Sequence, residues 1–129
     1  MPTPLAKILC AEDDPDIQAI MQMALEHVGG YTVLIAPNGR EALDHAPAFA
    51  PDLILLDVMM PEMDGPTTLE ALRADPALAD IPVIFLTAKA QQHEIERYRA
   101  LGIAEVISKP FDPLTLPERV RAIWEYRHA

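Results

Sequence analysis

Four apolar runs in this chain each end in a polar residue that the run itself does not need. Lys7–Ala11 ends in Glu12 and Asp13, the run from Leu53 ends in Asp57, the run from Ile81 ends in Thr87, and the run from Ile103 to Ser108 ends in Lys109. Taken singly, each residue is ordinary. A strand-end aspartate is commonly a turn or cap residue, threonine favours strands, and a lone lysine is usually solvated. If the runs are parallel strands of one sheet, however, their ends lie on one edge, where open α/β sheets place their chemistry. Glu12, Asp13 and Asp57 then converge. Carboxylates about 5 Å apart repel by roughly 3 kcal/mol per pair at an effective dielectric near 20. Such a cluster must bind protons or recruit a cation. An open, all-oxygen set suits Mg²⁺, with Mn²⁺ as the alternative. Without histidine at these strand ends, zinc is disfavoured. A cation, the Lys109 ammonium, and the Thr87 hydroxyl with nearby backbone N–H groups match the three equatorial oxygens of a transferring phosphoryl group. Asp57 is then the nucleophile, and the product is an acyl phosphate that water can later hydrolyse.

The elements that must position these residues can be read from apolar spacing and from punctuation. Leu53-Ile54-Leu55-Leu56, set between Pro51 and Pro61, reads as a strand buried on both faces. Asp14-Pro15 reads as N-cap and first residue of a helix whose apolar face is Ile17, Ile20, Met21, Ala24, Leu25 and Val28, closed by Gly29-Gly30. Of its methionines, Met21 is assigned to the core and Met23 is left open. Tyr31–Ala36 is a second strand, and Asn38-Gly39 opens a helix that Pro47 is expected to end or bend. A third helix runs from Asp64-Gly65-Pro66 to near Asp75-Pro76. A fourth runs from about Ala90 to Leu101, with Ile95, Tyr98 and Leu101 on one side and Gly102 as C-cap. A fifth starts at Thr115-Leu116-Pro117-Glu118, which has capping-box spacing, and carries Leu116, Val120, Ile123 and Trp124. Five strands alternating with five helices predict a doubly wound α/β fold. Right-handed crossovers point to a flavodoxin-like (βα)5 sheet in the order 2-1-3-4-5.

The full set of motifs resembles the receiver domain of two-component response regulators, over essentially the whole length. The motifs are Glu12-Asp13-Asp14, Asp57-Val58-Met59-Met60-Pro61 with Met63-Asp64-Gly65, Thr87-Ala88, and Lys109-Pro110-Phe111. The resemblance implies that Asp57 is the phosphoacceptor and that Glu12, Asp13, Asp57 and the Met59 backbone carbonyl surround Mg²⁺. It also implies that Thr87 and Lys109 bind phosphoryl oxygens, that the Lys109–Pro110 bond is cis, and that Met59 and Lys89 flank the path of the attacking water. The implied donor is a histidine kinase or histidine phosphotransfer protein, and the implied output is a downstream protein target or effector domain. Receivers often carry an aromatic residue three positions before this lysine. Here that position is Val106, so the Thr87 half of the switch is present and the aromatic half is not.

Composition agrees with this reading. A chain of 129 residues, half of them hydrophobic, suits one domain, with its core expected at about 6–126. The net charge of −10 disfavours direct binding to nucleic acid or to an anionic membrane. The single Cys10 sits inside an apolar run and reads as a buried hydrophobe rather than a reactive thiol. The first seven residues lack an apolar leader and no run is long enough to span a membrane, so a soluble cytoplasmic protein is expected. No output domain follows the last helix. The chain therefore reads as a stand-alone regulator or as a domain of a hybrid kinase or larger regulator, and the Met1 start favours the first. His27, His45, His93 and His128 fall away from the strand ends and are expected to be solvated. Tyr98, Val106 and Trp124 form either a partner surface or core.

Three rivals remain. An aspartyl-nucleophile phosphatase usually places a second aspartate two residues after the first and adds a cap domain, but Met59 holds that position and the chain has no room for a cap. A flavodoxin-like FMN carrier would set its phosphate against Glu12 and Asp13. A receiver-shaped interaction module that is never phosphorylated is disfavoured by the full set of carboxylates, threonine and lysine, while Val106 at the usual aromatic position keeps it open.

Overall fold

The computed structural model describes residues 4–88 and 91–127. Its strands are β1 (Lys7–Ala11), β2 (Thr32–Ala36), β3 (Leu53–Asp57), β4 (Val83–Thr87) and β5 (Glu105–Ser108). Its helices are α1 (Pro15–Gln22), α2 (Gly39–Phe49), α3 (Gly65–Ala74), α4 (Gln92–Arg99) and α5 (Leu116–Arg127). The sheet is parallel throughout, in the order β2-β1-β3-β4-β5, as expected.

Alternation along the strands sets the two layers. Leu53, Leu55, Ile8, Cys10, Ile84 and Leu86 face one apolar layer together with Met21, Leu25, Val120 and Trp124 from the α1 and α5 side. Ile54, Leu56, Leu9, Val83 and Phe85 face the other, with Ala42, Leu69, Leu72 and Tyr98 from α2, α3 and α4. Every residue of β3 and β4 is buried, which is why both strands read as unbroken apolar runs. Each fully buried Leu, Ile or Phe contributes about 1.5–3 kcal/mol relative to exposure. Tyr98, Val106 and Trp124 are all buried, so they belong to the core rather than to an open partner surface.

The first helix departs from a plain α-helix. After Gln22 it widens into a π-helix over Met23–Val28, with Gly29 N–H donating to the Ala24 carbonyl five residues back. The widening keeps Ala24 and Leu25 buried but turns Val28 off the core face, so Val28 and Met23 are exposed. Ile20, also expected in the core, stands at the edge of its face and is 40% exposed. Pro47 neither ends nor visibly stops α2. It sits in the last turn, where a proline gives up one intrahelical hydrogen bond, and the helix ends at Ala50 with φ of 52°. Helix α4 is shorter than expected. The chain tightens after it, with Leu101 N–H on the Tyr98 carbonyl and Gly102 at φ of 87°, and this swings Leu101 outward. Helix α5 starts at Leu116, but a turn at Asp112 holds its start in place of the capping box. The Asp112 carbonyl accepts from both Thr115 and Leu116 N–H.

Gly65 is where the fold presses closest on the sheet edge. It opens α3 directly behind β3, and its N–H donates to the Val58 carbonyl at 3.0 Å. A Cβ there would stand 2.8 Å from the Asp57 carbonyl oxygen and 3.0 Å from the Val58 Cα, both backbone atoms. Gly65→Ala should therefore push α3 away from the end of β3 and destabilise the domain by about 1–3 kcal/mol. Urea unfolding at equilibrium measures this, and an unchanged midpoint would show that the contact relaxes freely.

Candidate functional site

The β1–α1 turn presents Glu12 and Asp13 beside the end of β3. Glu12 continues the strand pairing, its N–H donating to the Ala36 carbonyl at 3.0 Å, and its side chain is fully buried. Asp13 is exposed and Asp57 is buried. Asp14 caps α1, accepting from Asp16 N–H at 2.8 Å, as expected. Glu12, Asp13 and Asp57 each offer one oxygen, and these oxygens lie within 4.8 Å of one another.

Lys109, at the end of β5, reaches across to this cluster. Its ammonium lies 2.7 Å from Glu12 Oε1 and 3.0 Å from Asp57 Oδ2. Glu12 Oε1 is buried in this ion pair and has no other hydrogen-bond partner among the described residues. The other carboxylate oxygen, Oε2, accepts from Asp14 N–H at 3.1 Å. Met59 N–H approaches Asp57 Oδ1 at 3.4 Å. Thr87 is buried at the end of β4, one residue beyond Leu86, the strand partner of Asp57. The Lys109–Pro110 bond is cis.

The structure thus brings together Glu12, Asp13, Asp57, Thr87 and Lys109, with Met59 alongside and 77% exposed. Lys89 and Ala90 lie outside the described residues, as does His128. His27, His45 and His93 are exposed on helices. Cys10 is fully buried, and burial pushes its thiol far above the usual range, as suits a core side chain.

Electrostatics decide what this cluster holds. Burial pushes the Glu12 carboxyl up most strongly and Asp57 adds to the rise, while Lys109 and the Asp14 N–H oppose it. The net value is about 7. Burial alone would pull the Lys109 ammonium down, but its two carboxylate partners more than offset this and its pKa rises. Three carboxylates against one ammonium leave two negative charges when all are ionised. An all-oxygen set with that surplus, partly open through Asp13, fits a hard divalent cation.

One contact in the turn involves a residue not singled out by sequence pattern. The Gln18 side-chain amide, from α1, donates to the Glu12 backbone carbonyl at 2.6 Å. A glutamine on a helix carries no periodic signal that would point to it.

Comparison with known proteins agrees with the geometry. A family model described as the response regulator receiver domain matches residues 8–121. The chain belongs to the response regulator receiver family. The DNA-binding dual master transcriptional regulator RpaA of Synechocystis is 40% identical over 92% of this chain and 49% of its own length. The alkaline phosphatase synthesis transcriptional regulatory protein PhoP of Bacillus subtilis is 38% identical over 91% of this chain and 48% of its own. The chain therefore spans about half the length of these curated relatives. Chemotaxis protein CheY4 of Vibrio cholerae superposes with a TM-score of 0.85 at 31% identity, over 92% of this chain and 98% of that one. Receiver domains are signalling domains that generally bind Mg²⁺ in an acidic pocket, and this receiver presents such a pocket. No helix among its described residues is long and apolar enough to cross a membrane.

The Glu12 shift has a pH consequence. Its carboxyl sits at about 7 in the folded domain against an ordinary 4.5, so the folded state holds a proton that the unfolded chain releases. This contribution to stability is full below about 4.5 and is lost as pH rises through about 7. In cation-free buffer the melting temperature should fall across that window, and Glu12→Gln should flatten the fall. Since a cation needs the carboxylate, Mg²⁺ affinity should rise over the same window. Melts of both proteins from about pH 5 to about pH 8, with and without Mg²⁺, check this. Parallel profiles would remove Glu12 as the linked group.

Proposed function

We propose that this receiver domain accepts a phosphoryl group on Asp57 from a phosphohistidine donor in a Mg²⁺-dependent reaction and signals by a change of conformation. The observation that carries the reading is the Lys109 ammonium touching both Glu12 and Asp57 at the edge where Thr87 also ends its strand. An isolated strand-end aspartate would have no reason to gather these partners.

The chemistry follows from the side chains. An Asp57 carboxylate oxygen attacks phosphorus. The new P–O bond forms as the P–N bond to the donor imidazole breaks, and the electron pair stays on the departing nitrogen. Lys109 turns part of its charge from the carboxylates to the phosphoryl oxygens, and the Thr87 hydroxyl donates to another of them. Glu12, Asp13, Asp57 and the Met59 backbone carbonyl would hold Mg²⁺ (Mn²⁺ fits the same donors), which supplies Lewis-acid charge to the phosphoryl oxygens. Hydrolysis reverses the state: water attacks phosphorus, inorganic phosphate leaves, and the Asp57 carboxylate returns. Met59, exposed beside Asp57, borders that approach. The domain promotes its own phosphorylation and dephosphorylation and turns over no metabolite. Its donor is a histidine kinase or a histidine phosphotransfer protein, and an effector domain or separate protein target reads the phosphorylated form. Neither nucleic acid nor membrane binds this acidic domain directly.

Incubation with acetyl phosphate, followed by intact mass, tests the reading. The parent should gain one phosphoryl group only with Mg²⁺ present, and Asp57→Asn should gain none. A gain that persists in Asp57→Asn would assign the chemistry to another carboxylate.

A further inference from the structure

The acidic turn has two members of unlike security. Glu12 is locked: its N–H is paired to β2, and its carboxylate is held by Lys109 and by the Asp14 N–H. Asp13 is exposed, yet its carboxylate lies within 4.8 Å of the oxygens of Glu12 and Asp57. Like charges this close repel, and an exposed aspartate is free to turn toward water. Something must set the direction in which Asp13 leaves the backbone.

That direction depends on the plane of the Glu12–Asp13 peptide. A peptide is rigid, so fixing its carbonyl oxygen fixes the position of the next Cα and limits where its side chain points. The Gln18 side-chain amide donates to this carbonyl, with Nε2 at 2.6 Å. Gln18 stands on the second turn of α1, and its own N–H bonds the Asp14 carbonyl at 2.9 Å. Asp14 in turn caps the same helix. The turn is thus tied at both ends to the first two turns of α1, with Gln18 as the cross-member.

We propose that Gln18 is a positioning residue of the acidic site: its side-chain amide fixes the Glu12–Asp13 peptide and thereby holds the exposed Asp13 carboxylate in place as a cation ligand. This rests on the reading of Glu12, Asp13 and Asp57 as the Mg²⁺ site. Gln18 touches neither cation nor phosphoryl group. It acts as the partner of a ligand's backbone, an outer-shell contact of the kind that commonly sets metal affinity.

The test is a Mg²⁺ titration of the intact chain by calorimetry, with melting temperatures in cation-free buffer run beside it. Gln18→Met keeps size and neutrality but removes the donor. It should weaken Mg²⁺ binding by about 10-fold, with a melting temperature close to the parent's. The same substitution made in an Asp13→Asn background should have little further effect, because the residue it positions has already lost its charge. Gln18→Met binding as tightly as the parent would overturn the assignment, as would an undiminished loss in the Asp13→Asn background. If the parent binds no Mg²⁺, the site reading fails and this proposal falls with it. If the parent binds Mg²⁺ and Gln18→Met binds it equally well, the Gln18 assignment fails while the site reading stands. Loss of fold in Gln18→Met is met by Gln18→Ala, which must show the same loss of affinity.

Discussion

Mutual repulsion among Glu12, Asp13 and Asp57 is the constraint on which this molecule turns. The sheet order forces the three together, because β1 and β3 are neighbours and each ends in acid on the same edge. Lys109 relieves part of the repulsion by contacting two of them, and a partly protonated Glu12 relieves more. Neither relief is complete when all groups ionise. The site is consequently poised between three occupants of the same charge deficit: a proton, the lysine and a divalent cation. Which one prevails on the proposed reading depends on pH and on cation concentration.

A cluster of this kind works against folding, and the rest of the chain must hold it. Net stabilities of domains are about 5–15 kcal/mol, so one unrelieved pair at roughly 3 kcal/mol is a large share. The two apolar layers provide the opposing term. β3 and β4 are buried along their whole length, and the carboxylate of Asp57 is carried at the tip of one of these two strands. Gly65 adds a local constraint, since α3 starts so close to β3 that no side chain fits between them. The backbone of Asp57 is therefore clamped from below by the core and from the side by a helix, while its side chain meets Lys109.

Much of this was legible in the residues. An unbroken apolar run between prolines announced β3, a second led by Pro82 announced β4, and polar strand ends named Glu12, Asp13, Asp57, Thr87 and Lys109. Parallel pairing then made their convergence a matter of topology. What escaped the sequence was local and geometric. The π-helix at Met23–Val28 changes which side chains a helix buries without changing any residue type, so Val28 read as core and is exposed. Pro47 carries a strong breaking signal, but near the end of a helix the hydrogen bond it forfeits is a small loss, and α2 continues past it. Gln18 was invisible because its role lies in one hydrogen bond to a carbonyl six residues back.

Helix α1 shows how these scales meet. Its N-terminus is set by Asp14, its second turn grips the Glu12 carbonyl through Gln18, and its buried face carries Met21, Ala24 and Leu25 into the layer beneath β1 and β3. The helix that caps the acidic turn is therefore also anchored in the core that supports Asp57. A displacement of α1 would disturb Glu12 and Asp13 through the turn and the β3 layer through packing, both at once. Burial at one end of the helix thus gives the exposed carboxylate at the other end a fixed frame. In so crowded a negative site, that frame decides whether three acids act as one binding site or merely repel.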